Sequence, residues 1–532
     1  MQKSINVKIV SVSIILVILL IGIIVINNNS NNKYSFTQDG IKYALTLDGE
    51  KTTSFPSKGM YKVQVTCDGA DGRWLYDDWK LSIENITGDI SCDIDFRTIT
   101  KTSLNDYIIS LAGTTQGTGQ VVNETANIPD YSSTIAISQS SYTSQNVFSS
   151  TSSSSTSGTA VSGAYTFANN TWTSVPSAMT SGTYYHFKFN PSENGYYQMC
   201  YDLSAGNTYN VISTYVNTNQ LYSSVKASTS SAKTDCIELG YVTTSDYIKV
   251  TQRAYTDIST LSFSIKKASN VQESVNAGTR YEGKNPNNYI WFNNEYWRII
   301  GVFDSASHGV SGQNLVKIIR ADILDVLMWD KSNTNDWAAS SLKSLLNGAY
   351  YNAQDGTSSG YCYGYSATVT ATCDYTKRGI QSDYRGMIAN VTWYLGGYSI
   401  NYVTVEALYG YERGTTVYSG RPTSTTGYIG LMYPSDYGYS VLSSSCARTT
   451  NLDAYSNTTC AGQSWLYGKG LEWTLTPSSS NSNYVSDLSY DGNLNVTGLI
   501  ISWGFRPVLY LDASVYKIDG DGSLENPYIV GM

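Results

Sequence analysis

The spacing of apolar residues changes character along the chain, and each change predicts a different element. From Ile9 to Ile26 the residues IVSVSIILVILLIGIIVI carry no charge and are apolar apart from Ser11, Ser13 and Gly22. At ~1.5 Å per helical residue this run reaches roughly 27 Å, close to the thickness of a bilayer's hydrocarbon core, where a helix can satisfy its own backbone. The apolar side chains surround the whole circumference, so the prediction is an N-terminal transmembrane helix over 9–26 and not a core-facing stripe. Lys3 and Lys8 precede the run and the next charge is Lys33. That bias places a short tail, 1–8, in the cytoplasm and exports the bulk of the chain. A cleaved signal peptide is the competing reading. Against it, the run is longer than an ordinary signal core, and neither a small-residue cleavage site nor an acylatable Cys comes after it.

Beyond the run the period becomes two. KYALTL, YKVQV, WKLSI and CDIDF alternate apolar and polar residues between turn signals such as Asp39-Gly40 and Asp48-Gly49, which predicts a first all-β module over 34–111. Trp74 and Trp79 lie beside one of these strands and are expected to pack a small core, in preference to forming an aromatic ligand platform. Residues 112–163 turn to Gly, Ser and Thr and read as a linker, with NIPDYSSTIAIS able to lend a strand to the next module. YYHFKF, GYYQMCYDL, YNVISTYV, CIELGYV, DYIKV and LSFSIK then predict a sandwich-like second β-module over 164–268.

The block 271–532 mixes periods. YIWFNNEYWRIIGVF predicts a hairpin turned at Asn293-Asn294, and LVKIIRADIL a further strand. NDWAASSLKSLLNGAYY sets Trp337, Leu342, Leu345 and Leu346 near helical spacing with Gly348 as a stop, and Pro434-Ser435-Asp436 opens another short helix. LEWTLTP, NYVSDLSYDGNLNV and GFRPVLYL return to strands.

That order, together with YWRIIGVF, WAASSLKSLLN, IGLMYPSDYGY, WLYGKGLEWTLTP and the closing GFRPVLYLDASVYKIDGDGSLENPY, resembles a C-terminal domain of unassigned function on surface proteins of Gram-positive gut-type bacteria. The resemblance implies an α+β, C-type-lectin-like head, distantly similar to the fold of formylglycine-generating enzymes. It does not carry their chemistry. The Glu-Pro-Asn and Trp-Asn-Asp sets of calcium-dependent sugar binding are missing from the sequence, and Cys362/Cys373 and Cys446/Cys460 flank loop-like insertions as structural pairs would. The expected fold is therefore multidomain: transmembrane helix, two all-β modules and an α+β head.

Composition narrows the function. Charged residues are 14% of the chain, Tyr numbers 46 and the net charge is −8; with no basic face, nucleic acid is excluded as a partner. The eight cysteines fall into sequence-neighbour pairs within each module, predicting disulfides 67–92, 200–236, 362–373 and 446–460 in an exported protein. Zinc is disfavoured because the chain has no C-x-x-C and only His186 and His308. Asp519-Gly-Asp521-Gly-Ser523 resembles the front of a calcium loop, but Val530 stands where the closing Glu belongs, so a tight turn is expected. Neither a metal nor any other cofactor is predicted.

No base accompanies a nucleophile, so no enzyme is expected; the rival is a glycan hydrolase using paired carboxylates among Asp322, Asp325, Asp330 and Asp336. Arg506 is expected to hold a carboxylate or carbonyls inside the head. The Tyr-, Ser- and Gly-rich stretch from Tyr350 to Ser445 has the composition of a binding surface. Tyr394, Tyr398, Tyr409, Tyr411 and Arg413 are its candidate ligand residues. The reading is a single-pass cell-surface protein whose head binds an extracellular glycan or protein in adhesion or recognition, with a structural surface-layer component as a further alternative.

Overall fold

The computed structural model describes residues 36–532, apart from 60, 77, 132–133, 138–145, 204–209, 227–232, 255–259, 269–273, 366–367, 399–402 and 469. The run Ile9–Ile26 lies outside the described residues, and among those described no helix is long and apolar enough to cross a membrane. Strands dominate, and the longest described helix, Val405–Arg413, has 9 residues. The expected architecture of a transmembrane helix, β-modules and an α+β lectin-like head is corrected accordingly: the described chain is predominantly β, with short helical turns between strands. The helical spacing around Trp337 shows why. It is split into a 3-10 turn Trp337–Ala339, a helix Ser341–Leu345 and a π turn Leu346–Tyr350, because the extended Ser340 ends the first turn and its side chain caps Lys343 N–H.

Two compact units are present. The first comprises residues up to Tyr107 with Tyr289–Tyr296 and Ser514–Met532. Its main sheet runs Phe36–Gln38, Ile41–Leu47, Ser91–Thr98, Tyr61–Asp68, with Glu50–Thr52 paired to Ile41–Leu47. Alternation buries Ile41, Tyr43 and Leu45 on one face with Ile94 and Phe96, and the hairpin Asp71–Leu75/Lys80–Glu84 lays Trp74 onto them. Trp74 meets Phe96 at 5.0 Å and Trp79 at 5.2 Å, edge to face, a geometry that suits ring quadrupoles. Cys67 and Cys92 are register partners on adjacent strands and are disulfide-bonded. The chain's last strands belong to this unit too: Tyr516–Asp519 pairs with Thr102–Ser103 and with Tyr528–Gly531, which lies parallel to Tyr289–Phe292.

The second unit comprises Ile108–Asn288 and Trp297–Ala513. Residues 134–268 build two six-stranded sheets. Phe187 of one meets Trp172 at 4.7 Å and Phe263 at 5.1 Å from the other, so the sheets face each other across an aromatic layer. The stretch expected as a linker, 112–163, carries strands. Thr118–Ala126 runs antiparallel to Val275–Asn285, burying Val121 and Ala126, and Asn146–Ser150 enters a sandwich sheet. The Ser-rich turn after it is held by Lys249, whose ammonium donates to the carbonyls of Ser153 (3.0 Å) and Ser155 (2.9 Å).

In the head, Ile429–Gly430, Val508–Leu511, Leu315–Arg320, Glu295–Phe303 and Val275–Asn285 pair in that order. A five-stranded sheet, Asp325–Met328, Ser502–Phe505, Glu472–Pro477, Tyr484–Leu488, Leu494–Gly498, completes it. Every residue of Glu472–Pro477 and Val508–Leu511 is buried. Strands covered on both faces carry their polar residues inside, where these must find partners.

Candidate functional site

At the edge of the five-stranded sheet, a small hairpin presents tyrosines to solvent. Tyr361, Tyr363 and Tyr365 occupy alternate positions in YCYGY, a spacing that in extended backbone directs them to one side and Cys362 to the other, and Tyr363 sits here in an isolated bridge. The structure obeys that rule. Tyr361 is 42% and Tyr365 70% exposed and Tyr363 is partly exposed, while Cys362 and its disulfide partner Cys373 are buried. Tyr363 bridges Thr370, and Gly364 N–H donates to Val369 O at 2.8 Å, closing the hairpin below its tip. Its base is fixed by Met328 N–H donating to Tyr363 O (2.9 Å) and Gly356 N–H donating to Cys373 O (2.8 Å). Lys331 Nζ donates to Gly360 O at 2.6 Å and lies 5.5 Å and 5.1 Å from the Tyr361 and Tyr363 ring centres. The result is a ridge of amphipathic rings with one ammonium beside it, held on a stapled scaffold. Val326 and Ile323, exposed at 58% and 40%, continue the apolar surface along the edge strand and the turn before it.

The residues expected to bind ligand lie elsewhere, and mostly inside. Tyr398 and Tyr409 are buried. Tyr398 Oη accepts from Ser486 Oγ (2.9 Å), and Tyr409 Oη donates to Asn276 O (2.9 Å) and touches Ser307 Oγ (2.8 Å). Tyr394 and Tyr411 are half-buried, their carbonyls taken by Tyr433 Oη and Gly414 N–H. Arg413 stacks 3.5 Å over the Tyr409 ring, donates to Tyr409 O and pairs with Glu412 at 3.1 Å. Tyr409, Tyr411 and Arg413 lie in the helix Val405–Arg413, and Tyr394 and Tyr398 pack outside it. The exposed tyrosines fall in the same stretch, 350–445, and the alternation in YCYGY was the signal that separates them from the buried ones.

Of the other candidates, Asp330, Asp325, Arg506, Asp519 and Asp521 are likewise engaged, while Asp336 Oδ1 is buried without a hydrogen-bond partner among the described residues. Asp330 Oδ2 accepts from Ser332 and Thr334 N–H (3.1 Å each) and Thr334 Oγ1, and its Oδ1 accepts from Ser341 N–H (3.0 Å), so it organises its own turn. Asp325 pairs with Arg378 at 3.2 Å. Arg506 grips Glu472 through two nitrogens (2.7 and 2.8 Å) and donates to Leu466 O. Asp519 pairs with Lys62 at 3.0 Å, and Asp521 caps Ser523 N–H at 2.9 Å in a turn with Gly520 and Gly522 at positive φ. Among the described residues no group of three or more His, Cys, Asp or Glu is placed to hold a metal.

His186 sits between Ser150 Oγ (2.7 Å) and Thr251 Oγ1 (2.8 Å). Burial, reinforced by Lys249, pushes its imidazole down to about 4. Ser150 Oγ also donates to Ser152 O, so this arrangement latches the Ser-rich turn. His308 is buried between Phe303 O and Val310 N–H.

All four disulfides join the sequence-neighbour cysteines, Cys67–Cys92, Cys200–Cys236, Cys362–Cys373 and Cys446–Cys460, and no cysteine is free. Such pairing belongs to an oxidising, extracellular setting.

No family model and no curated protein matches the chain. Among solved structures it is weakly similar to the secreted serine protease VesC from Vibrio cholerae (TM-score 0.15, 8% identity, 35% of this chain and 31% of that one). A second weak similarity is to the Agl-KA catalytic domain (TM-score 0.14, 12% identity, 30% of this chain and 29% of that one). The chain thus spans under a third of the length of either, and at those TM-scores neither carries an argument about fold or activity.

Proposed function

We propose that this is an extracellular recognition protein whose head binds a glycan through the stapled tyrosine hairpin. The observation that carries the reading is the row Tyr361, Tyr363, Tyr365, exposed on one side of a hairpin whose opposite side is pinned by Cys362–Cys373. Tyrosine offers a flat apolar face with a hydroxyl at its rim, which can stack on the C–H face of a sugar ring while hydrogen-bonding its hydroxyls, at low entropic cost. The staple holds the rings in place before ligand arrives. Three tyrosines also supply too little area for a standard protein interface of about 1,600 Å² in total.

Exposed Val326 and Ile323 favour a second reading in which the ridge and the neighbouring apolar edge together dock a protein. Glycan-array binding by the full extracellular chain separates the two. Replacing Tyr361, Tyr363 and Tyr365 together by Ala should abolish array binding, whereas Val326→Asp should leave it intact; no array binding by the wild-type chain, with capture of a protein partner lost in both variants, points to the protein reading. Unchanged array binding in the triple variant, with the fold preserved, defeats the glycan assignment. In this reading the chain acts at a cell surface and is retained there by the apolar run Ile9–Ile26. Protease shaving of intact cells and N-terminal sequencing of the mature protein test that retention.

A further inference from the structure

Inside the head, Lys317 and Asp436 meet in a setting suited to covalent chemistry. Lys317 lies within the strand Leu315–Arg320 and Asp436 in the first turn of the helix Pro434–Tyr439. Lys317 Nζ is 2.5 Å from Asp436 Oδ2, and both side chains are wholly removed from solvent. Aromatic rings wall the contact: the ammonium lies 4.5 Å from the centre of Tyr433, 5.5 Å from those of Phe303 and Tyr510 and 5.8 Å from that of Trp393. The carboxyl is fixed from two further directions, with Arg280 donating to Oδ1 (3.0 Å) and Tyr433 N–H to Oδ2 (3.0 Å). Nearby stands a third acid, Glu412, which accepts from Ser435 N–H (2.8 Å) and Ser435 Oγ, in the residue next to Asp436.

We propose that Lys317 and Asp436 condense into an intramolecular isopeptide bond between Nζ and Cγ. One proton first passes from the Lys317 ammonium to the Asp436 carboxylate, giving an amine and a carboxylic acid with the same total charge as the ion pair. The amine lone pair then attacks Cγ, forming the N–C bond and moving the carbonyl electron pair onto Oδ1, where Arg280 already donates. Collapse breaks the Cγ–Oδ2 bond, and the hydroxyl leaves with a second amine proton as one molecule of water. The products are one amide and one water, with no oxidant, reductant or cofactor consumed.

Two physical features favour this course and one opposes it. The fold holds the nucleophile against its electrophile, which replaces a bimolecular encounter with a unimolecular step. Burial depresses the Lys317 amine to about 8, with Asp436 partly opposing, so the neutral nucleophile is more accessible than in water. Burial alone would raise Asp436, but Lys317 and Arg280 outweigh it and keep the carboxyl below its ordinary range, so the proton transfer is the uphill step. Glu412, raised to about 7 by burial against the pull of Arg413, bonds Ser435, the residue beside this pair. The product is a neutral amide whose Oδ1 can still accept from Arg280; that guanidinium also keeps Ala277 O and the rings of Phe303 (4.5 Å) and Tyr439 (4.7 Å), which partly offset the loss of its carboxylate.

Peptide mapping of the full chain, denatured and reduced, tests the bond directly. The wild-type protein should yield a branched peptide joining the Leu315–Arg320 and Pro434–Tyr439 segments, lighter by one water than the sum of its two linear parts. Lys317→Met and Asp436→Ala should each yield linear peptides only. Quantitative recovery of both linear peptides from the folded wild-type protein overturns the proposal and leaves a buried ion pair; that measurement needs no variant to fold.

Discussion

The first unit's sheet and the head solve the problem of a core in opposite ways. In the sheet 41–98, apolar residues alternate with polar ones, so a single face is buried and its interior of Tyr43, Leu45, Ile94, Phe96 and Trp74 needs no ion pair. In the head, strands are covered on both faces, so Arg280, Lys317, Glu472 and Arg506 are carried inside and are matched by partners with side chains at most 5% exposed. Burial area stabilises the first. The second depends on charge matching, because an uncompensated buried charge costs far more than the pair gains.

The largest effect that would sharpen this contrast is a broken pair. Glu472→Ala leaves the Arg506 guanidinium buried with Leu466 O as its remaining partner, and unfolding in urea should show a loss of about 3–5 kcal/mol. Replacing both residues with apolar ones of similar volume should cost much less, and an equal cost would break the comparison. Next comes the staple of the first unit: Cys67→Ser with Cys92→Ser should destabilise that unit by about 2–4 kcal/mol in the same measurement.

A pH effect separates the regions further. Burial pushes the Asp487 carboxyl in the head up to about 7, partly offset by Thr497. A group whose folded value is raised contributes stability below its unfolded value, near 4, and loses it as pH rises through about 7, because over that window the native state holds the proton that the unfolded chain releases. Head stability should therefore fall between about pH 4 and 7, by roughly 1.4 kcal/mol per pH unit at most from this group. Asp487→Asn should flatten the slope in thermal melts. The smallest effect belongs to the solvent-exposed pair Arg73–Glu84, with side chains 70% and 60% exposed: Arg73→Ala should change stability by under ~1 kcal/mol, and less at high salt.

The same contrast explains what could be read from the sequence. Alternation in CDIDF and YKVQV marks the strands of the first unit, and Trp74 lies in its core as that pattern implies. The disulfides were legible because their cysteines are near neighbours in the chain; Cys67–Cys92 and Cys200–Cys236 are register partners on adjacent strands. In LVKIIR, by contrast, the apolar run marks a strand, yet nothing local shows that Lys317 points inward to a helix more than a hundred residues later. Tyrosine content had the same ambiguity, since Tyr409 and Tyr365 look alike in composition and differ in what covers them. The pairing of Ser103 with Tyr516 leaves no local trace at all.

That last pairing sets a schedule. Leu104 N–H donates to Val515 O, and Lys62 and Tyr76 reach Asp519. The unit that holds residues up to Tyr107 thus stays unfinished until Ser514–Met532 emerge, with the four hundred or so residues between them already made. Nascent chains halted before Ala513 should therefore lack the strands Tyr516–Asp519 and Tyr528–Gly531, leaving their partners Thr102–Ser103 and Tyr289–Phe292 unpaired and open to chaperones and proteases until synthesis reaches them.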